Sequence, residues 1–155
     1  MQLIRDVLNL NPILTVALLA CFVAQVLKTL INFILLGKFQ LERMWGDGGM
    51  PSAHSATVCS MVIATARSEG FGSAIFAVAA VVAIITMHDA MGVRRETGEQ
   101  AKLLNRMLSE WMEQESEHLP FLGDKKLKEM VGHTPIQVLT GAVFGVTIGF
   151  LMPMI

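Results

Sequence analysis

Asp47 to Ala56 reads D-G-G-M-P-S-A-H-S-A and stands between two long apolar runs. Gly48-Gly49 permits backbone conformations closed to other residues. Pro51 suits the opening of a helix, where its missing N–H costs nothing. The amides of Ser52, Ala53 and His54 would then be unpaired donors at a positive dipole end, which is an anion site. Ser52 and Ser55 add hydroxyls. His54 adds a group that holds or gives a proton near neutral pH. The same residues also fit a plain turn and N-cap ahead of a membrane helix.

The surroundings decide what kind of helix follows. The chain has 155 residues, enough for one domain, and is 53% hydrophobic with only 16% charged residues. Its mean hydropathy is +0.55. That balance points to an all-α, integral-membrane helical bundle. Apolar runs at about 13–36, 52–66, 73–87 and 136–152 predict about four membrane helices, with a polar segment 88–135 carrying an amphipathic helix, all in a single domain 1–155. The net charge of -1 carries no nucleic-acid footprint. Cys21 and Cys59 lie in apolar runs without C-x-x-C spacing, which predicts buried free thiols. Arg5 is offset by Asp6 and the first apolar run outlasts a signal peptide, so it reads as a retained span.

Asn11-Pro12 marks the start of the first helix. Gln25, Lys28 and Asn32 are spaced to share one face of it. An ionisable residue at membrane depth is expensive and usually faces the bundle interior, although a lysine near a helix end can also snorkel to the surface. Trp45 suits a membrane interface. The second and third runs are short and rich in small residues, as in a tightly packed hairpin. Then charge density jumps: residues 88–100 read H-D-A-M-G-V-R-R-E-T-G-E-Q. Arg94 and Arg95 could grip a phosphate or mark a solvated helix end. Asp89 could orient an arginine or a histidine, or bind a divalent metal. Ala101 to His118 has the period of an amphipathic, interfacial or cytosolic helix. Gly132-His133-Thr134-Pro135 leads into the last run, where Gly141, Gly145 and Gly149 form a stripe for close packing. A homodimer around that stripe is expected. His88 and His118 read as structural or solvated.

Four crossings would bring P-S-A-H, the arginine pair and G-H-T-P to one face, with Lys28 in the membrane half below. Lys38, Arg43, Arg94, Arg95, Lys102, Arg106, Lys125, Lys126 and Lys128 fall on that face, against Arg5 and Arg67 on the other. The positive-inside rule makes the motif face cytoplasmic.

With P-S-A-H, a second histidine in G-H-T-P-I-Q-V-L-T-G-A-V-F-G and the upstream membrane Lys28, the chain resembles the type 2 phosphatidic acid phosphatases and vanadium haloperoxidases. G-G-M-P-S-A-H-S-A, D-A-M-G-V-R-R-E-T-G-E-Q-A and G-H-T-P-I-Q-V are similar to the divergent branch of that superfamily, small membrane proteins of bacteria and plastids. The resemblance covers nearly the whole chain. It implies a bacterial inner-membrane or plastid-membrane location and a phosphate site. Lys28, Ser52 and the Ala53 amide would bind phosphate, His54 would be the general acid and His133 the nucleophile. The parent superfamily has Gly where this chain has Ala53, an Arg where it has Leu127 and an Asp where it has Gln137. Arg94 or Arg95 could replace the missing Arg, with Lys126 and Lys128 as other candidates, and Asp89 could take the role of the missing Asp.

The resemblance implies a lipid-phosphate or lipid-diphosphate phosphatase that works through phosphohistidine. His133 must be neutral to attack and His54 protonated to assist the leaving group, so the two should titrate apart. The scheme needs no cofactor and no metal. Its partners would be a phosphorylated lipid and the membrane. Two alternatives stand beside it: a metal-dependent lipid phosphotransferase using Asp89 with Glu96 or Glu99, and a non-catalytic lipid-phosphate binder or carrier.

Overall fold

The computed structural model describes residues 11–37, 49–114, 127, 129 and 131–153. Trp45, Asp47, Gly48, His118, Lys125, Lys126 and Lys128 lie outside these residues, as do Arg5, Lys38 and Arg43 of the orientation argument. Five helices are described: α1 (Pro12–Leu36), α2 (Ala53–Glu69), α3 (Ala74–Met91), α4 (Val93–Gln114) and α5 (Pro135–Leu151). There are no strands among the described residues.

α1 starts where Asn11-Pro12 predicted. The Asn11 side chain accepts a hydrogen bond from Leu14 N–H at 3.0 Å, and Gly37 closes the helix in the left-handed region at φ 63°. α2 is capped by Ser52 and begins at Ala53, so Pro51 precedes the cap instead of occupying the first helical turn. α4 begins at Val93, directly after α3, so the arginine pair is helical and the amphipathic helix starts eight residues earlier than its apolar period suggested. The reason is that the charged first two turns have no apolar face to reveal them.

α2 is the centre of the bundle and packs against α1, α3 and α5. It is also rich in hydroxyls, with Ser55, Ser60 and Thr65 buried. In an apolar setting an unbonded hydroxyl is costly. Here Thr57, Ser60 and Thr65 donate to the carbonyls of Ala53, Thr57 and Met61 at 2.7–2.9 Å, within their own helix. The helix therefore carries polar groups inward without needing water.

The outer surface is the reverse of a soluble protein's. On α1, Leu14, Leu18, Phe22, Val26 and Leu30 are exposed, while Ala17, Ala20, Ala24 and Lys28 are buried. On α3, Ile75, Val78, Val82 and Ile85 face out and Ala79 and Ala83 face in. Large apolar groups outside and small residues at helix contacts are the pattern of a helical membrane bundle. α1 and the continuous stretch through α3 into α4 are long and apolar enough to cross a bilayer; α5 is apolar but shorter.

The glycine stripe packs inside the chain. A Cβ added at Gly141 would meet the backbone of Ser52, one at Gly145 the backbone of Ala56, and one at Gly149 the Ile63 side chain at 2.7 Å. The stripe is thus occupied by α2 and is not the surface for the homodimer expected around it. At the far end of the same pair, Arg67 Nη1 donates to the carbonyls of Gly149 (2.6 Å), Phe150 (3.2 Å) and Met152 (2.7 Å). One guanidinium closes the α5 C-terminus, where carbonyls lack helical partners and the dipole favours a cation. Arg67→Ala is expected to lower the thermal midpoint in detergent by about 5 °C, given the usual worth of charged hydrogen bonds. An unchanged midpoint would mean the cap contributes nothing.

Candidate active site

The P-S-A-H stretch meets G-H-T-P through the backbone. Ser52 N–H donates to the Gln137 carbonyl at 3.1 Å, which ties the head of α2 to the head of α5. His133 N–H donates to the Ala90 carbonyl at 3.0 Å, which ties the same point to the end of α3. Gly49 lies against α1: a Cβ there would come within 3.1 Å of Lys28 Cδ and 3.5 Å of Asn32 Nδ2. Its φ of 92° also demands glycine. The ends of α1, α2, α3 and α5 therefore gather in one place.

The histidines face each other there. The rings of His54 and His133 lie 5.9 Å apart between centroids, edge to face at 63°. His133 is buried at 3% exposure and His54 is half-buried. Gln137 orients the His133 ring. Its Oε1 accepts from Thr134 N–H at 3.0 Å and lies 3.3 Å from His133 Nδ1. Thr134 N–H can only donate, so the atom facing it is the amide oxygen, and Nδ1 must then carry the proton. In the neutral ring the lone pair is then on Nε2, the nitrogen that does not face Gln137. The same glutamine completes a capping box with Thr134 at the start of α5.

Ser52 is fully buried and acts as the α2 cap. Its Oγ accepts from Ser55 N–H at 3.4 Å and from Ser55 Oγ at 3.1 Å. The Ser52 amide, expected to be an open anion donor, is instead engaged by the Gln137 carbonyl. Lys28 is 3% exposed and does not snorkel; it packs beneath Gly49.

The two arginines part company. Arg94 Nε bonds Asp89 Oδ2 at 2.8 Å, a half-exposed ion pair beside the end of α3. Asp89 so orients an arginine, one of the roles its sequence position allowed. Arg95 instead lines a cavity of about 220 Å³ together with Gly49, Lys102, His133, Thr134 and Gln137. Glu99 and Glu129 stand at the same cavity. Glu99 is paired with Lys102 at 2.9 Å. Among the described residues, no three histidine, cysteine or carboxylate groups come together as a metal site.

Lys102 and Glu129 were not singled out as site residues by sequence. Lys102 had a signal, since it sits two turns after Arg95 on one helix face; Glu129 had none.

The profile of the Divergent PAP2 family matches residues 9–148. The chain is 38% identical over 153 residues to "Uncharacterized membrane protein YuiD" of Bacillus subtilis (strain 168), covering 95% of this chain and 96% of that one. No solved structure matches it significantly.

Proposed function

Because this chain belongs to the Divergent PAP2 family, we propose that it is a membrane phosphatase that hydrolyses a lipid phosphate or diphosphate through His133. The observation that carries the reading is the facing pair of histidines, with His133 held by Gln137 in the tautomer that leaves Nε2 basic. Nε2 attacks phosphorus and the phosphorus–oxygen bond to the lipid breaks. His54 gives its proton to the departing oxygen. Water then attacks the phosphohistidine, passes a proton to His54 and releases phosphate, which regenerates Nε2. Arg95, Lys28 and the amides at the head of α2 would stabilise charge on the phosphoryl oxygens.

Arg95 has the better claim to the role of the arginine missing at Leu127. It lines the cavity with His133, whereas Arg94 is committed to Asp89. Arg95→Ala is therefore expected to cut phosphate release by about 10²–10³-fold, as removal of one transition-state donor does, and Arg94→Ala by far less. Equal losses from both would remove Arg95 from the site.

The test of the whole reading is phosphate release from a panel of lipid phosphates and diphosphates by the purified chain. Release lost in both His133→Ala and His54→Ala, with folding intact, supports it. Binding of the same lipids without release favours the non-catalytic binder. The neutral Gln137 speaks for that second reading, since an amide cannot stabilise imidazolium as a carboxylate does. The phosphotransferase reading is weaker, because Asp89 already holds Arg94. A cytoplasmic motif face, in a bacterial inner or plastid membrane, is part of the proposal and follows from the basic residues there.

A further inference from the structure

The described residues that lead to His133, Leu127, Glu129, Val131 and Gly132, lie outside the helices, and Leu127 and Glu129 are attached to α4. Asn105 makes the attachment. Its Nδ2 donates to the Leu127 carbonyl at 2.9 Å, its Oδ1 accepts from Leu127 N–H at 2.9 Å, and Nδ2 also donates to Glu129 Oε1 at 2.8 Å. A carboxamide has the donor and acceptor of a peptide unit. It therefore pairs with Leu127 as a neighbouring strand would, and gives that residue a backbone partner.

Two glycines complete the track. A Cβ at Gly98 would lie 2.8 Å from the carbonyls of both Glu129 and Val131. One at Gly132 would meet the backbone of Arg94 and Arg95, and Gly132 has φ 85°. The segment thus runs antiparallel to α4, from Asn105 past Gly98 to Arg95. Leu127 and Glu129 are thus held at Asn105, Glu129 and Val131 pass Gly98, and Gly132 sits on Arg94 and Arg95 one residue before His133, so what Asn105 holds leads directly to His133.

We propose that Asn105 is a positioning residue for His133, acting from nearly three turns beyond Arg95 with no part in the chemistry. Its catalytic consequence rests on the phosphatase reading; its effect on His133 itself does not. The test is the rate at which diethyl pyrocarbonate acylates His133 in the full-length protein in detergent, followed by peptide mass spectrometry. Arg67→Ala serves as a control for general loosening at the opposite end of the bundle. Asn105→Ala is expected to speed His133 acylation by about tenfold, the loss of local protection that goes with broken hydrogen bonds. Asn105→Asp puts a carboxylate against Glu129 and should speed it too; adding Glu129→Gln restores a donor between them and should slow it again. That comparison stands alone if Asn105→Ala does not fold. Acylation in Asn105→Ala no faster than in Arg67→Ala, or a double variant no slower than Asn105→Asp, would overturn the proposal. Where phosphate release is measurable, kcat should fall by up to about 10²-fold, as for a misplaced reacting group, with KM nearly constant. If the unaltered protein releases no phosphate yet the acylation pattern holds, the phosphatase reading fails and the positioning role stands.

Discussion

His133→Ala is expected to reduce phosphate release by at least about 10³-fold, because it removes the proposed nucleophile and not merely a charge near it. The substitution should leave the bundle assembled. The His133–Ala90 bond to the end of α3 runs through the backbone, and Gln137 keeps its bond to Thr134 N–H. Thermal unfolding of the variant therefore separates chemistry from folding. His54→Ala should cost about 10²–10⁴-fold, the usual share of a general acid. It should cost least on substrates with a good leaving group, which need no proton. Release that survives His133→Ala would end the phosphohistidine scheme, whatever the other variants did.

The largest effect on folding is expected at Gly145. A Cβ there would lie 2.8 Å from Ala56 Cα and 2.9 Å from Ala56 C, both backbone atoms that cannot rotate away. Gly145→Ala must push α5 off α2 and should cost about 1–3 kcal/mol, the range for overpacking. Gly145→Leu needs far more room, and its cost is comparable with a marginal total stability of about 5–15 kcal/mol. No monodisperse protein is expected from it. Gly145→Ala should also weaken phosphate release, since parting the helices strains the Ser52–Gln137 bond that joins the two histidine-bearing segments. Size-exclusion profiles after graded heating check both variants. A Gly145→Leu midpoint within about 2 °C of the parent would mean that α2 and α5 do not pack in this way.

Much of this was legible in the chain. Asn11-Pro12 and the long apolar run defined α1, and the ordered motifs pointed to the residues that meet at the site. The glycine stripe announced a close approach, but periodicity does not name the partner. The missing signal lay in α2: Ser52, Ala56 and Ser60 repeat every four residues and offer a second small-residue stripe to receive it. Arg94 and Arg95 are neighbours in sequence, so only the phase of α4 separates the one at Asp89 from the one at the cavity. Asn105 was unreadable for another reason. Its partners are 22 and 24 residues away, and nothing in a helical period marks a side chain that will bond a distant backbone.

The lengths of the helices have a consequence for how a substrate would arrive. α2 and α5 are joined at both ends, and each has 17 residues, or about 26 Å. The hydrocarbon layer is about 30 Å thick. A matched pair this short either sits with its ends below the headgroup plane or draws the leaflet down around it. In both cases the phosphate of a lipid, the proposed substrate, would meet His133 without the lipid being raised toward water. Raising it would expose acyl methylenes at about 0.8 kcal/mol each, so a shallow bundle would spare a lipid substrate that desorption.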